Sequence, residues 1–108
     1  MTQYVRGRIY LADIGLTDEN DRPVPKYMLI VSNNGRNKGL TALAVRLTTT
    51  HRPFASHVAL PPGEVWTGYV SCDDVVQLYD EDRVKDAGAL SPVAMRAVEE
   101  GLRIALGL

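Results

Sequence analysis

Two apolar stretches that each end in hydroxyl and amide side chains stand out in the pattern of the chain. Residues 26–34 begin at Lys26 and close in Ser-Asn-Asn, and residues 42–50 close in three threonines that begin with Thr48. Each apolar run has the length of a strand that is covered on both faces. Because strand ends can present reactive groups on a rigid scaffold, the cation of Lys26 and the hydroxyl of Thr48 suit the binding of a phosphate.

The rest of the first half predicts one more strand and two loops. Residues 5–12 alternate in polarity, which predicts a half-buried strand that Gly7 allows to bend. Residues 13–25 predict a long loop whose composition cannot sustain a helix or a ladder, and loops of this length are usually functional or mobile. Residues 33–39 predict a turn, because Asn-Gly readily takes a positive φ.

The second half continues with short strands separated by turn residues. We expect strands over residues 57–60 and 66–72, and a further one over residues 75–79. Residues 80–84 predict a single helical turn, because their acidic start suits the helix dipole.

The chain closes in its clearest helix. Ser91 is a suitable N-cap, Pro92 fits the first helical position, and Gly107 is placed to end the helix. An apolar stripe at helical spacing is formed by Met95, Val98, Leu102 and Ala105. The pattern as a whole predicts a mainly β fold with a C-terminal helix, arranged as a small antiparallel barrel or sandwich.

Composition narrows the class of protein. The chain has 108 residues and an apolar fraction of 45%, which fits a single globular domain over residues 1–108. Its net charge of −1 means that any contact with RNA or DNA must be made by a few clustered cations.

The cysteine count and the N-terminus bear on the compartment. Cys72 is the only cysteine, which excludes an internal disulfide, fits a reducing compartment and argues against a zinc site. We expect no cofactor. The N-terminal residues have no apolar core of a secretory signal, and no apolar run approaches transmembrane length. We therefore expect a cytoplasmic protein without a membrane partner.

Several short motifs occur in a specific order along nearly the whole chain. They are Arg-Gly-x-Ile-Tyr at residues 6–10, Ser-Asn at 32–33, Val-x-Leu-Thr-Thr-Thr at 45–50, His-Val-Ala-Leu at 57–60, Gly-Tyr-Val-Ser-Cys-Asp at 68–73 and Leu-Ser-Pro at 90–92. In this order and spacing the chain resembles the MazF/PemK (Kid) toxins of bacterial toxin–antitoxin systems. The resemblance implies a small SH3-like barrel, a homodimer, a cognate antitoxin, and a metal-independent endoribonuclease that cuts single-stranded RNA.

The resemblance also implies a set of catalytic residues. Thr48 matches the family's threonine at the end of the second strand, and Asp73 matches the aspartate of a later strand motif. Lys26 stands where the family usually has a catalytic arginine, and Arg22 is a second candidate to replace that arginine. The expected chemistry is attack by the ribose 2′-OH to give a cyclic phosphate, with Asp73 or His51 as the base.

Residues near these positions are predicted to bind the substrate. They are Arg22, Tyr27, Arg46, Thr49, His51 and Arg52. Either Tyr27 or Phe54 could stack on a base, and core packing is an equal alternative for both. For His57, which lies in a predicted strand, a structural role is expected.

Two other functions are compatible with the same fold. A barrel related to the CcdB toxins would bind DNA gyrase without an enzymatic site, although such toxins end in a helix with an exposed Trp and the only Trp here is Trp66. A barrel without catalytic activity could instead serve to bind an antitoxin.

Overall fold

One antiparallel sheet of six strands makes up most of the protein, and the computed structural model describes residues 2–108. The strands are β1 (Arg8–Ala12), β2 (Lys26–Ile30), β3 (Thr41–Thr48), β4 (His57–Ala59), β5 (Tyr69–Tyr79) and β6 (Arg83–Ala89). The helices are α1 (Asn34–Asn37), a 3₁₀ turn (Asp80–Asp82) and α2 (Pro92–Leu106). The mainly β fold with a C-terminal helix is thus confirmed.

The strands lie in the order β4-β5-β3-β2-β1-β6. Over residues 2–108 no strand pairing joins β4 to β6, so hydrogen bonds do not close the expected barrel. No helix in the same part of the chain is long and apolar enough to cross a membrane.

The sheet has an apolar core on each of its faces. The first core lies under α2 and centres on Ile9, Leu29, Val45, Val70 and Val98. The second core lies on the opposite face and centres on Tyr4, Tyr10, Met28, Ile30 and Leu78. The prediction that β2 and β3 are covered on both faces is confirmed. The prediction that β1 is buried on one face only is wrong, because Tyr10 and Ala12 on its other face are also buried.

One of the two loop predictions needs a correction. Residues 33–39 contain α1, whose N-cap Asn33 accepts a hydrogen bond from the Arg36 backbone N–H, and the positive φ falls on Leu40 instead. Residues 13–25 are a loop, as predicted, with one isolated bridge between Thr17 and Pro23. The Asp18 carboxylate holds its tip by accepting from the backbone N–H of Arg22, at 3.0 Å.

The second half also differs from the prediction in detail. The strands expected over residues 66–72 and 75–79 are one continuous strand, β5, and Trp66 precedes it. The helical turn predicted over residues 80–84 is confirmed only at Asp80–Asp82, because Arg83 and Val84 begin the edge strand β6. The sequence does not predict β6, since it has no strand-like alternation and the strand forms through pairing with β1. The predicted helix is confirmed from the Ser91 cap to Gly107, which takes a left-handed φ of 71°.

The start of α2 is tied to the loop before β5. Glu64 accepts hydrogen bonds from the Ser91 backbone N–H at 2.8 Å and from the Ser91 hydroxyl at 2.6 Å. Ser91 Oγ in turn accepts from the backbone N–H of Ala94. These two bonds from Ser91 lower the pKa of Glu64, so the ionised form of Glu64 supports the helix start.

Gly101 allows α2 to lie close against the sheet. A Cβ atom at this position would lie 2.5 Å from Val58 Cγ2 and 2.9 Å from Cys72 Sγ. Both distances are too short for a side chain, so the helix could accommodate one only by moving away from β4 and β5.

We therefore expect Gly101→Ala to destabilise the protein. Helix propensity alone would favour Ala by about 1 kcal/mol, but overpacking of a core costs about 1–3 kcal/mol and should reverse the sign. Chemical denaturation measures the free energy of unfolding. The exposed Ala97→Gly in the same helix is the control and should lose about 1 kcal/mol through propensity alone. A gain in stability for Gly101→Ala would contradict the close packing.

Candidate functional site

A polar area occupies the end of the sheet face opposite α2. Arg46 of β3 pairs with Met28 of β2 on one side and with Ser71 of β5 on the other. Since directly paired residues share a face, Arg46 and Ser71 lie on the face of the second core, to which Met28 belongs. Thr48 lies two residues further along β3 and shares this face.

A bulge in β5 brings two carboxylates to this area. Val45 pairs with Val75, but the next residue, Arg46, pairs with Ser71, so residues 72–74 have no partner on β3. Asp73 and Asp74 are exposed in this bulge. Bulges re-aim side chains in this way next to many functional sites.

Cys72, the first residue of the bulge, lies in the core under α2. Its thiol is buried, and its Sγ atom lies 3.7 Å from the carbonyl oxygen of Val98. Burial, together with the charge of Asp73, raises the pKa of the Cys72 thiol to about 11. Cys72 is therefore a neutral thiol at pH 7 and serves packing.

The polar area forms a depression of about 210 Å³. Its lining residues are Arg46, Thr48, Arg52, Phe54, Ser71, Asp73 and Asp74. The Arg46 guanidinium lies 4.0 Å from the Asp74 carboxylate, and both side chains are partly exposed. Two guanidinium groups and two hydroxyl groups thus surround a space that is open to an anion, with carboxylates at its side.

The hydroxyl of Thr48 is fixed by its own backbone turn. Thr48 Oγ1 accepts a hydrogen bond from the backbone N–H of Thr50 at 3.1 Å. Gly68 lies against the other side of this turn, since a Cβ atom there would be 2.6 Å from the Thr48 carbonyl oxygen. Gly68 also has a φ of 134°, which L side chains rarely adopt. The end of β3 is therefore held in a narrow space.

An aromatic stack supports the loop between β3 and β4. The rings of His57 and Tyr69 are stacked with centroids 5.1 Å apart, and His51 contacts Tyr69 edge-on at 5.3 Å. His57 is buried and its Nε2 lies 2.7 Å from the carbonyl oxygen of Thr50. The structural role expected for His57 is confirmed by this burial and bond.

The predicted site residues divide into two groups. Thr48 and Asp73 of the catalytic set, with Arg46 and Arg52 of the binding set, line the same depression. The residues that do not line it are Lys26, Arg22, Tyr27, Thr49 and His51.

Lys26 does not line the depression. It is the first residue of β2 and shares a sheet face with Met28, whereas the pairing of β2 with β3 ends at Met28 and Arg46. Tyr27 points to the other face, where it joins the first core and its ring lies 6.4 Å from that of Trp66. This placement favours the packing alternative for Tyr27.

The remaining predicted residues lie on loops. Arg22 is exposed in the loop before β2, Thr49 is exposed directly after β3, and His51 is exposed against Tyr69. Their parts in substrate binding stay predictions.

The binding set predicted from the sequence lacked three residues that line the depression. Phe54 is predicted to stack on a base or to pack in the core, and its exposure of 57% does not fit core packing. Ser71 and Asp74 depend on the bulge in β5, which cannot be located by counting alternate residues. The two adjacent aspartates between apolar stretches of one strand are the sequence signal that could have indicated it.

Comparison with known proteins gives consistent matches over almost the entire chain. Residues 5–106 match the family described as PemK-like, MazF-like toxin of type II toxin–antitoxin system. Endoribonuclease MazF1 of Mycobacterium bovis and endoribonuclease MazF4 of Mycobacterium tuberculosis are each 37% identical over 109 residues, covering 100% of this chain and 97% of the relative.

Solved structures agree with these matches. An endoribonuclease in complex with its cognate antitoxin from a mycobacterial species has a TM-score of 0.86 at 37% identity, covering 97% of this chain and 96% of that chain. A MazE–MazF structure from Deinococcus radiodurans has a TM-score of 0.83 at 16% identity over 100% and 99% of the two chains, which shows the fold alone.

Proposed function

Because the chain belongs to the PemK-like, MazF-like toxin family of type II toxin–antitoxin systems, we infer that it is a toxin endoribonuclease. Curated relatives that are 37% identical over their whole shared length carry the name endoribonuclease MazF. The observation that supports this function in the structure is the depression at the end of β3. There the Thr48 hydroxyl lies with two arginines and the Asp73 carboxylate.

We propose that the substrate is single-stranded RNA and that the ribose 2′-OH is the nucleophile. Its attack on the adjacent phosphorus forms a 2′,3′-cyclic phosphate and expels the 5′-oxygen of the next nucleotide. Such a reaction needs a base for the 2′-OH, an acid for the 5′-oxygen and donors for the charge that develops on the phosphate. Side chains can act as the base, the acid and the donors, so the reaction requires no metal ion.

The residues of the site can supply each part. Thr48 donates to a nonbridging phosphate oxygen, and the guanidinium groups of Arg46 and Arg52 offset its negative charge. Lys26, on the same sheet face as Thr48, stabilises the transition state or protonates the leaving oxygen. Asp73 is our first candidate for the base because it lines the depression, whereas His51 lies against Tyr69 outside it.

We further propose a cognate antitoxin as partner and a homodimer as the working form. A mycobacterial endoribonuclease of the same fold was solved with its cognate antitoxin, which supports the first proposal. An antitoxin that covers the polar depression would block access of RNA to Thr48. Light scattering of the purified protein tests the homodimer, and a cytoplasmic location stays a prediction.

Thr48→Ala and Lys26→Ala should each lower the rate of RNA cleavage by about 100-fold, because each removes a group that stabilises the transition state. The measurement is single-turnover cleavage of a long, end-labelled, single-stranded RNA by the purified protein.

Two matched variants serve as controls for this pair. Thr41→Ala removes a threonine from the other end of β3, and Lys85→Ala removes an exposed lysine from the opposite edge of the sheet. Both should cleave at the wild-type rate. If Thr48→Ala and Lys26→Ala both still cleave, the protein is a ribonuclease but these two residues are not catalytic.

Cleavage should persist in excess chelator and stop when the nucleotide 5′ to the scissile phosphate lacks its 2′-OH. The second result follows because the proposed nucleophile is then missing. Gel analysis of an RNA with a single deoxy substitution measures it, and the same substitution placed several nucleotides away is the control. Cleavage at the deoxy position would exclude the 2′-OH mechanism, and loss of activity in chelator would indicate a metal-dependent enzyme.

A folded wild-type protein that cleaves no RNA would contradict the proposal as a whole. That outcome would favour the binding functions, and gyrase inhibition would then separate a CcdB-like toxin from a barrel that only binds an antitoxin.

A further inference from the structure

His57 is a buried histidine next to the end of β3. It begins β4, and its residue is only 8% exposed. One face of its ring is stacked on Tyr69, whose backbone pairs with Thr48 across β3 and β5. His57 therefore lies beside the turn that carries Thr48, on the sheet face of Ser71, with which it pairs.

The hydrogen bond of His57 determines which of its ring nitrogens carries hydrogen. Nε2 lies 2.7 Å from the carbonyl oxygen of Thr50. A carbonyl oxygen can only accept, so Nε2 must donate and must carry hydrogen in the folded protein. His57 is thus a fixed donor at Nε2, and this atom cannot take a proton from the RNA.

Thr50 links this bond to the Thr48 hydroxyl. The carbonyl oxygen of Thr50 accepts from His57, while the backbone N–H of Thr50 donates to Thr48 Oγ1 at 3.1 Å. Thr50 itself is exposed, and its carbonyl oxygen is bonded by the His57 side chain. The His57 side chain supplies the anchor that fixes the carbonyl end of this residue.

We propose that His57 is a positioning residue for the reaction, acting through Thr50 on Thr48; this inference rests on the function of Thr48 proposed above. An Oγ1 atom that accepts from the Thr50 amide turns its own hydrogen away from that amide. The O–H of Thr48 is then free to donate to a phosphate oxygen in the depression. Without the His57 bond, the turn loosens and the hydroxyl loses this orientation.

Two substitutions separate the hydrogen bond from the packing. His57→Phe keeps a flat ring against Tyr69 and removes the donor, whereas His57→Gln places an amide N–H within reach of Thr50. His57→Phe should lower kcat by about tenfold and change KM by less than about threefold, because one hydrogen bond is lost outside the RNA contact surface. His57→Gln should recover most of kcat. Denaturation curves show whether both variants remain folded.

A double-mutant cycle with Thr48→Ala tests the route of the effect. If His57 acts through Thr48, His57→Phe should lower the single-turnover rate by less than about twofold when Thr48 is already Ala. A full tenfold loss in that background would overturn the proposal, as would an effect on KM alone or wild-type kcat in His57→Phe.

Amide hydrogen exchange at Thr50 gives a readout that does not depend on catalysis. The exchange rate should rise in His57→Phe and return toward the wild-type value in His57→Gln, because the turn is anchored by the side-chain bond. An unchanged exchange rate in His57→Phe would contradict the claim that His57 anchors the turn, even if the wild type cleaved no RNA. Absence of cleavage together with faster exchange would instead contradict only the proposed function.

Discussion

The sheet carries apolar side chains on both faces, and the rest of the structure depends on how each face is covered. Helix α2 covers the first face, where Gly101 brings it close to Val58 and Cys72. The second face is covered only over part of its area, by Tyr4 and its neighbours. The Tyr4 ring packs edge-on against Tyr10, and its hydroxyl donates to the carbonyl oxygen of Tyr79. The uncovered remainder of that face is where the polar depression lies.

Much of this architecture can be predicted from the sequence because it depends on local patterns. The bounds of β3 and the capped helix α2 follow from apolar runs and from Ser91, Pro92 and Gly107. Strand β6 could not be predicted, because its sequence gains strand geometry only from pairing with β1. Burial on both sides of β1 likewise depends on Tyr4, which comes from outside that strand.

The site could be predicted only in part, and for a physical reason. Thr48, Arg46 and Asp73 belong to strands whose positions the motifs indicate, and the structure brings them together. The neighbours Ser71 and Asp74 depend on the three-residue bulge in β5, which changes the register that a pattern of alternation assumes. The role of His57 depends on a contact with a backbone carbonyl seven residues earlier. Such a contact cannot be predicted from the sequence, because every residue has a backbone carbonyl.

The ion pair in the depression is a weak one. Arg46 and Asp74 are 4.0 Å apart, with side chains that are 35% and 57% exposed. Exposed pairs of this kind are worth about 0–1 kcal/mol, since water competes with the partner for both charges. A phosphate that enters the depression offers Arg46 a charge-assisted and bidentate partner, which is a stronger interaction. If the site binds RNA as proposed, a phosphate would therefore replace a weak partner of Arg46, while the Thr48 hydroxyl is oriented by its hydrogen bond with the Thr50 amide.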